Sequence, residues 1–345
     1  MSEIAVSVVI CTYNRCEMLS HAITSVLTQI PDNLRYELIV VDNNSSDDTR
    51  RIVEAMMEGA PKLRYVFEAR QGLSHARNAG IAAAHGSIIA FTDDDIRAGP
   101  EWIANIIRAF EEYPDVDIVG GKVLPSWNAS PPRWLTDTHW SPLALMDHGN
   151  EPFYVNIARQ QCMVGANLCV RREVFDEVGV FAPIFQRVKD GIGSTEDHEF
   201  QLRFWRAGKQ GLYAPDIVVT ADVQDDRLGK AYHRRWHKGH GAFCAMMQLL
   251  DIPADSASLF GTPAYVYSSI PGLWMHWMIA AVKGQESRAF SYETDLRFAL
   301  SYIKKTYEMH RRKLQGSTIE ELTRFSQALF RKKFSSAARI VKRNP

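Results

Sequence analysis

Through the first 125 residues, short runs rich in β-branched side chains alternate with stretches of helical periodicity, and few folds accept that alternation. "AVSVVIC", "YELIVVD", "RYVFEA", "SIIAFTD" and "DIVGGKV" read as buried strands. Helical spacing fills residues 16 to 29, 47 to 58, 73 to 84 and 100 to 112. Strand and helix in strict succession predict an α/β domain around a mostly parallel sheet, since each crossover lays a helix on the sheet and returns in the same hand. Ligands of such sheets bind at the carboxyl ends of the strands.

Polar residues gather at those ends. "CTYNR", from Cys11 to Arg15, places Thr12, Tyr13, Asn14 and Arg15 after the first strand. "VVDNNSSDDT" ends the second strand on Asp42, with Ser45 or Ser46 as a cap for the next helix. "ARQGLSHARNAG" is a Gly-punctuated loop running into a helix that bears Arg77 and Asn78. "FTDDD" closes the fourth strand with Asp93, Asp94 and Asp95 in a row. Four polar strand ends on one sheet edge make one pocket.

Each cluster also has a plain structural reading. Asx and Ser residues after a strand form turns and caps. A single arginine on a helix serves in a surface ion pair. Acidic residues ahead of "RAGPEW" complement a helix dipole. Three consecutive aspartates exceed what a cap requires, and their mutual repulsion grows with burial, so a positive charge among them is expected. A divalent cation is the leading candidate.

A chain of 345 residues with 46% hydrophobic composition buries a substantial core and has room for one large domain with an appendage. Forty basic and forty acidic side chains give no net charge, which argues against a nucleic-acid partner. The balance is uneven: residues 283 to 343 hold fifteen Lys and Arg against six Asp and Glu. Five cysteines without C-x-x-C spacing suit reduced thiols. The opening "MSEIAVSVVICTYN" has no secretory pattern, so a cytoplasmic chain is expected.

The ordered set "VSVVICTYNR", "ELIVVDNNSSDDT", "GLSHARNAGIAAAHGSIIAFTDDD", "GANLCVRREVFDEVGVF" and "STEDHEFQLRFWRAG" resembles the family 2 glycosyltransferases. The resemblance spans roughly residues 5 to 245. It implies the GT-A nucleotide-sugar transferase fold, a Rossmann-like, mostly parallel sheet, here followed by a C-terminal helical appendage. The corresponding division is a catalytic domain over 1–250 and a basic helical region over 251–345.

The resemblance implies an inverting transfer of a sugar from a nucleotide-sugar donor, a UDP-sugar first, to a glycan or lipid-linked acceptor in cell-surface polysaccharide synthesis. Thr12, Tyr13 and Asp42 match positions that hold the base, with the Asp42 carboxylate accepting the N3 proton of uracil; Asn14 and Arg15 complete that motif. Arg77 matches a donor-phosphate contact. Asp93 and Asp95 match the family's D-x-D, the first reaching ribose or metal and the second coordinating Mn²⁺ or Mg²⁺, with Asp94 between them in the donor site. Gly165, Ala166 and Asn167 fall where relatives line the sugar and acceptor site. Of the pair Glu196 and Asp197, which follows the glycines at 191 to 193, the aspartate matches the general base.

Two departures stand out. Many relatives carry a histidine shortly after the "PDIVV" strand, where this chain reads Thr220, Ala221 and Asp222. Processive members carry Q-x-x-R-W, of which Arg235 and Trp236 echo the end while Tyr232 occupies the glutamine position. His233, Arg235 and Trp236 are placed as contacts for the diphosphate, with a solvated basic helix as the alternative.

Beyond residue 250 the family pattern stops. "YVYSSIPGLWMHWMIAAV" has an uninterrupted apolar core shorter than the ~20 residues of a spanning helix. "IKKTYEMHRRKL" and "LFRKKFSSAARIVKR" are basic and helical in pattern, suited to the surface of an anionic membrane and hence to a peripheral position on its inner face; a helical appendage or a dimer contact is the other reading. A catalytically silent donor-binding subunit would lack the acidic motifs, and both are present. A doubly wound phosphatase would place its aspartate after the first strand, where Cys11 and Thr12 stand.

Overall fold

The structure, a computed structural model, describes residues 4–186, 195–247 and 257–313. The chain divides into two compact units, the first made of residues 1–129, 143–191 and 196–224, the second of 130–142, 192–195 and 225–345.

The first unit opens with the expected alternation: β1 (Val6–Thr12), α1 (Cys16–Leu27), β2 (Tyr36–Asp42), α2 (Thr49–Met57), β3 (Leu63–Phe67), α3 (Leu73–Ala83) and β4 (Ile88–Asp93). Every residue of β1 and β2 is buried, as suits the largely apolar runs of strands inside a parallel sheet. There follow β5 (Ile96–Ala98), α4 (Trp102–Glu112), β6 (Ile118–Trp127), β7 (Phe153–Val155), β8 (Leu168–Arg171), α5 (Glu173–Val178), α6 (Glu196–Arg206) and β9 (Gly211–Val223).

The strands join in one nine-stranded sheet of order β3-β2-β1-β4-β8-β6-β9-β5, with β7 also on β9. The longer ladders, β1 with β2 and β4, β2 with β3, and β6 with β9, are parallel. Strand β8 is inserted antiparallel between β4 and β6, so "DIVGGKV" pairs one place further along the sheet than its sequence order suggests. Phe91 of β4, Phe175 of α5, Phe200 of α6 and Phe181 pack ring against ring at centroid distances of 5.0 to 6.2 Å. Phe91, Phe181 and Phe200 are fully buried, each contributing about 3 kcal/mol of transfer free energy.

Parallel register places the site. Thr12 lies opposite Asp42, and Cys11 lies opposite Asp93. Three strand ends therefore finish level.

The second unit is helical: α7 (Lys230–Met247), a two-residue hairpin of β10 (Ser258–Leu259) and β11 (Thr262–Pro263), α8 (Ala264–Val282) and α9 (Glu286–Lys313). Its longest stretch runs from residue 225 onward, where α7 packs on α9. The Arg234 guanidinium pairs with Glu293 at 2.7 Å, and Gly241 lies against the backbone of Phe298, where any side chain would collide. Residues 303–313, "IKKTYEMHRRK", are the last of α9, whereas "LFRKKFSSAARIVKR" lies outside the described residues.

Candidate active site

The three aspartates separate by direction. Asp94 points inward, where its Oδ2 accepts from the Thr12 hydroxyl at 2.8 Å and its Oδ1 from Arg15 Nη1 at 2.9 Å. The same Arg15 nitrogen reaches Asp95 Oδ2 at 3.0 Å. Burial pushes the Asp94 carboxyl up to about 6, against the opposing pull of Arg15. Burial also works against the Arg15 charge, but Asp94 and Asp95 together raise its pKa. Asp93, at the end of β4, has a side chain 32% exposed. The run does not begin a helix: β5 intervenes, and α4 starts at Trp102. The dipole-complement reading of these aspartates is thereby set aside.

Asp93 and Asp95 offer carboxylate oxygens, the hard donors that Mn²⁺ and Mg²⁺ take. A guanidinium bridging Asp94 and Asp95 shows that this corner already accommodates positive charge. Among the described residues no three His, Cys, Asp or Glu side chains form a complete cage. An ion held by Asp93 and Asp95 would therefore draw further oxygens from a bound phosphate and from water.

At the next strand end, Asp42 is buried, its Oδ1 accepting from the Ser45 amide and its Oδ2 from the Tyr65 hydroxyl, both at 2.8 Å. Asn14, in the left-handed region at φ 53°, accepts on Oδ1 from the Ser46 amide at 2.7 Å and donates its backbone N–H to Ser45 Oγ at 3.0 Å. The loops after β1 and β2 are thus locked to each other. Tyr13 beside them is partly exposed.

Arg77 departs from expectation. It is buried, with Nη1 donating to Glu196 at 2.7 Å and Nη2 3.8 Å from Asp93, rather than presented as a free phosphate contact. Burial disfavours its charge, and the carboxylates of Glu196, Asp93 and Asp197 more than compensate. Gly165 is explained by the same group: a Cβ there would run into the guanidinium.

Glu196, engaged by Arg77, leaves Asp197 as the less committed carboxylate of the pair. Asp197 is partly exposed and accepts from the Gly165 amide at 3.0 Å and the His198 amide at 2.8 Å. The glycines expected to flank it at 191 and 193 lie outside the described residues.

Asn167 requires a correction. It is wholly buried, its Oδ1 accepting from Trp102 Nε1 and its Nδ2 donating to the carbonyls of Lys122 and Ile217, each at 2.9 Å. A side chain with those three bonds ties α4 to the β6–β9 ladder and does not line a sugar. His233 is corrected likewise: it is buried in the second unit, edge-on to Trp134 and Phe290, with Nε2 bonded to the Arg227 carbonyl at 3.1 Å. Burial lowers its pKa to about 4, so it stays neutral and is unsuited to a diphosphate. Trp236 stacks on His240 at 4.5 Å, and Arg235 is exposed on the same helix.

Sequence reasoning missed three supports. Asn43 donates to the carbonyls of Glu68 and Arg70 and accepts from the Gly72 amide, fixing the Gly-rich loop to β2. Gln186 accepts from the amides of Ser74 and His75, capping α3 from a distant segment, and its amide leaves room only for glycine at Gly72, where φ is 139°. Gln201, one turn beyond Asp197, exchanges hydrogen bonds with both backbone groups of Met163. Only the "DNN" context of Asn43 carried any signal; the partners of the two glutamines are remote in sequence.

The fold matches that of GT-A glycosyltransferases. The mannosyltransferase PcManGT of Pyrobaculum calidifontis, in complex with GDP-Man and Mn²⁺, aligns with a TM-score of 0.55 at 19% identity, over 96% of this chain and 89% of that one. GalNAc-T7 with UDP, GalNAc and Mn²⁺ aligns with a TM-score of 0.50 at 18% identity, over 74% and 53%. Residues 7–179 match the model of Glycosyl transferase family 2, and the chain belongs to that family. Its curated relatives include the glucosyl-dolichyl phosphate glucuronosyltransferase of Haloferax volcanii, 30% identical over 62% of this chain and 68% of that protein. Glycosyltransferase AglE of the same organism is 30% identical over 68% and 72%.

Proposed function

We propose that the first unit transfers a sugar from a nucleotide-sugar donor to a hydroxyl of a glycan or lipid-linked glycan, with inversion. The observation that carries this reading is the level finish of Thr12, Asp42 and Asp93 at one sheet edge, with Asp197 held through the Gly165 amide beside the Arg77–Glu196 pair. Asp42 recognises the base by accepting a ring N–H; uracil is the first choice, and guanine, which also presents a ring N–H, is the competitor. Tyr13 lies beside it as an aromatic flank. Asp93 and Asp95 would hold Mn²⁺ or Mg²⁺, which when bound supplies positive charge for the departing diphosphate.

Asp197 is proposed to accept the acceptor's proton as the hydroxyl oxygen bonds to the anomeric carbon and the sugar–phosphate bond breaks, the electron pair leaving with the nucleoside diphosphate. Glu196 is not proposed as the base, because its Oε1 is engaged by the Arg77 guanidinium at 2.7 Å. Burial pushes the Cys11 thiol up to about 12, which disfavours a thiolate nucleophile at the end of β1.

Isothermal titration of UDP, GDP and their sugar conjugates, with Mn²⁺ and with excess chelator, tests the reading. The expected result is saturable, metal-dependent binding of one nucleotide class. Equal, weak binding of all of them with and without metal would overturn it.

A further inference from the structure

Helix α8 runs for 19 residues without a single Asp, Glu, Lys or Arg. A helix so free of charge is ordinarily enclosed. Here Val266, Ser269, Leu273 and Ala280 are buried, and His276 stacks on Tyr292 of α9 at 5.3 Å. The other side is open. Pro271, Trp274, Met275, Met278, Ile279 and Val282 recur every three or four residues and face outward, Trp274 53% and Val282 87% exposed. A continuous apolar stripe of this kind marks a contact surface rather than scattered exposure.

Positive charge takes over where the stripe ends. Lys283 follows Val282 directly and is exposed, as are Arg288 and Arg133. Arg133 and Arg288 line an open hollow of about 510 Å³ with Gly284, Gln285, Glu286 and Ser287. The one carboxylate there, Glu286, is paired with Lys230 at 2.7 Å, so the margin remains cationic. No described helix is long and apolar enough to cross a membrane.

We propose that α8 lies in the plane of a bilayer containing anionic lipid, its stripe among the acyl chains and Arg133, Lys283 and Arg288 against the lipid phosphates. Tryptophan and methionine without charge suit the boundary of headgroup and acyl chain, and the adjoining cations suit phosphate. The inference goes beyond the transfer reaction, and its assay needs neither donor nor acceptor.

The full chain is sedimented with phosphatidylcholine vesicles, with and without phosphatidylglycerol. Binding is expected only with the anionic lipid, falling at least about tenfold at high salt as the cation contacts are screened. Two variants follow, Trp274→Ser with Met278→Ser, and Arg133→Ser with Lys283→Ser and Arg288→Ser. Each is expected to lose at least about tenfold in vesicle partitioning while melting as the parent does, since every changed side chain is exposed. No binding of the parent to anionic vesicles would overturn the proposal, as would undiminished binding of the stripe variant. A concentration-dependent dimer without lipid, abolished by the stripe variant, would give the stripe to a second copy and equally overturn it. Donor titrations on the same proteins separate this outcome from failure of the transfer reading.

Discussion

The Arg77 guanidinium on α3 meets the Glu196 carboxylate on α6 at 2.7 Å inside the protein, across 119 positions of sequence. Asp93 lies 3.8 Å from the same guanidinium. One buried cation thus stands between a strand-end carboxylate and the helix that carries the proposed base. Glu196→Ala should remove that cation's hydrogen-bonded partner, leaving Asp93 at 3.8 Å, and cost about 3 kcal/mol in urea unfolding. Changing both residues to leucine should cost less than the two single changes summed. Additive losses would show that the pair is not coupled as its geometry states.

Asp197→Asn keeps the shape and removes the basicity. Turnover should fall by roughly 10²- to 10⁴-fold, with nucleotide affinity unchanged and stability lowered by about 1 kcal/mol for the weakened bonds to the Gly165 and His198 amides. Near-normal turnover at saturating substrates would remove Asp197 from the reaction.

Asp95→Ala should instead abolish the metal-dependent part of nucleotide binding, so that affinity and rate fall together. Arg15 would still pair with Asp94, which keeps the fold cooperative. Calorimetry in which Mn²⁺ enhances nucleotide binding as strongly in the variant as in the parent would contradict the ligand assignment.

Asn167→Ala separates packing from specificity. It leaves Trp102 Nε1 and two backbone carbonyls without their partner, and a loss of about 2 to 4 kcal/mol is expected for that many buried bonds. The preference among donor sugars should not move. A changed sugar preference with unchanged stability would return Asn167 to the sugar site.

On α9, burial raises the Asp295 carboxyl to about 6. The folded state holds this proton to higher pH than the unfolded chain does. The group therefore favours folding most below the ordinary carboxylate range; that contribution is lost as pH climbs towards 6, and above 6 burial of the charge opposes folding. Asp295→Asn should raise stability by about 2 kcal/mol at neutral pH and by far less near about pH 4. A pH-independent gain would point to packing instead.

The first four strands, their helices and the strand-end clusters were legible because both rest on local signals: β-branched runs, helical periodicity and polar residues where a run stops. Strand β8 was not. "LCVR" is too short to declare a partner, and its insertion between β4 and β6 is decided by packing from both sides. Side-chain direction was equally hidden. Asn167 and Asp197 both stand in family motifs, yet the first is enclosed by Trp102 and two carbonyls while the second stays partly open, and nothing within ten residues of either distinguishes them. Arg77 shows the same limit, because its partner lies on an element more than a hundred residues away.

Only Asp94 and Asp95 separate β4 from β5, although those strands stand four places apart in the sheet. A flat sheet would put them about 19 Å apart, while three residue steps reach about 11 Å, so the sheet must curl until its β5 edge approaches β4. The aspartate run is therefore a clasp, fastened by main chain: the Asp222 amide donates to the Asp95 carbonyl at 2.8 Å. Because main chain closes the clasp, exchange of the proposed metal ligands Asp93 and Asp95 would leave that fastening in place. A descendant of this chain could lose the proposed metal site and keep its architecture, whereas Asp94, which alone of the three takes the Thr12 hydroxyl as well as Arg15, has less latitude.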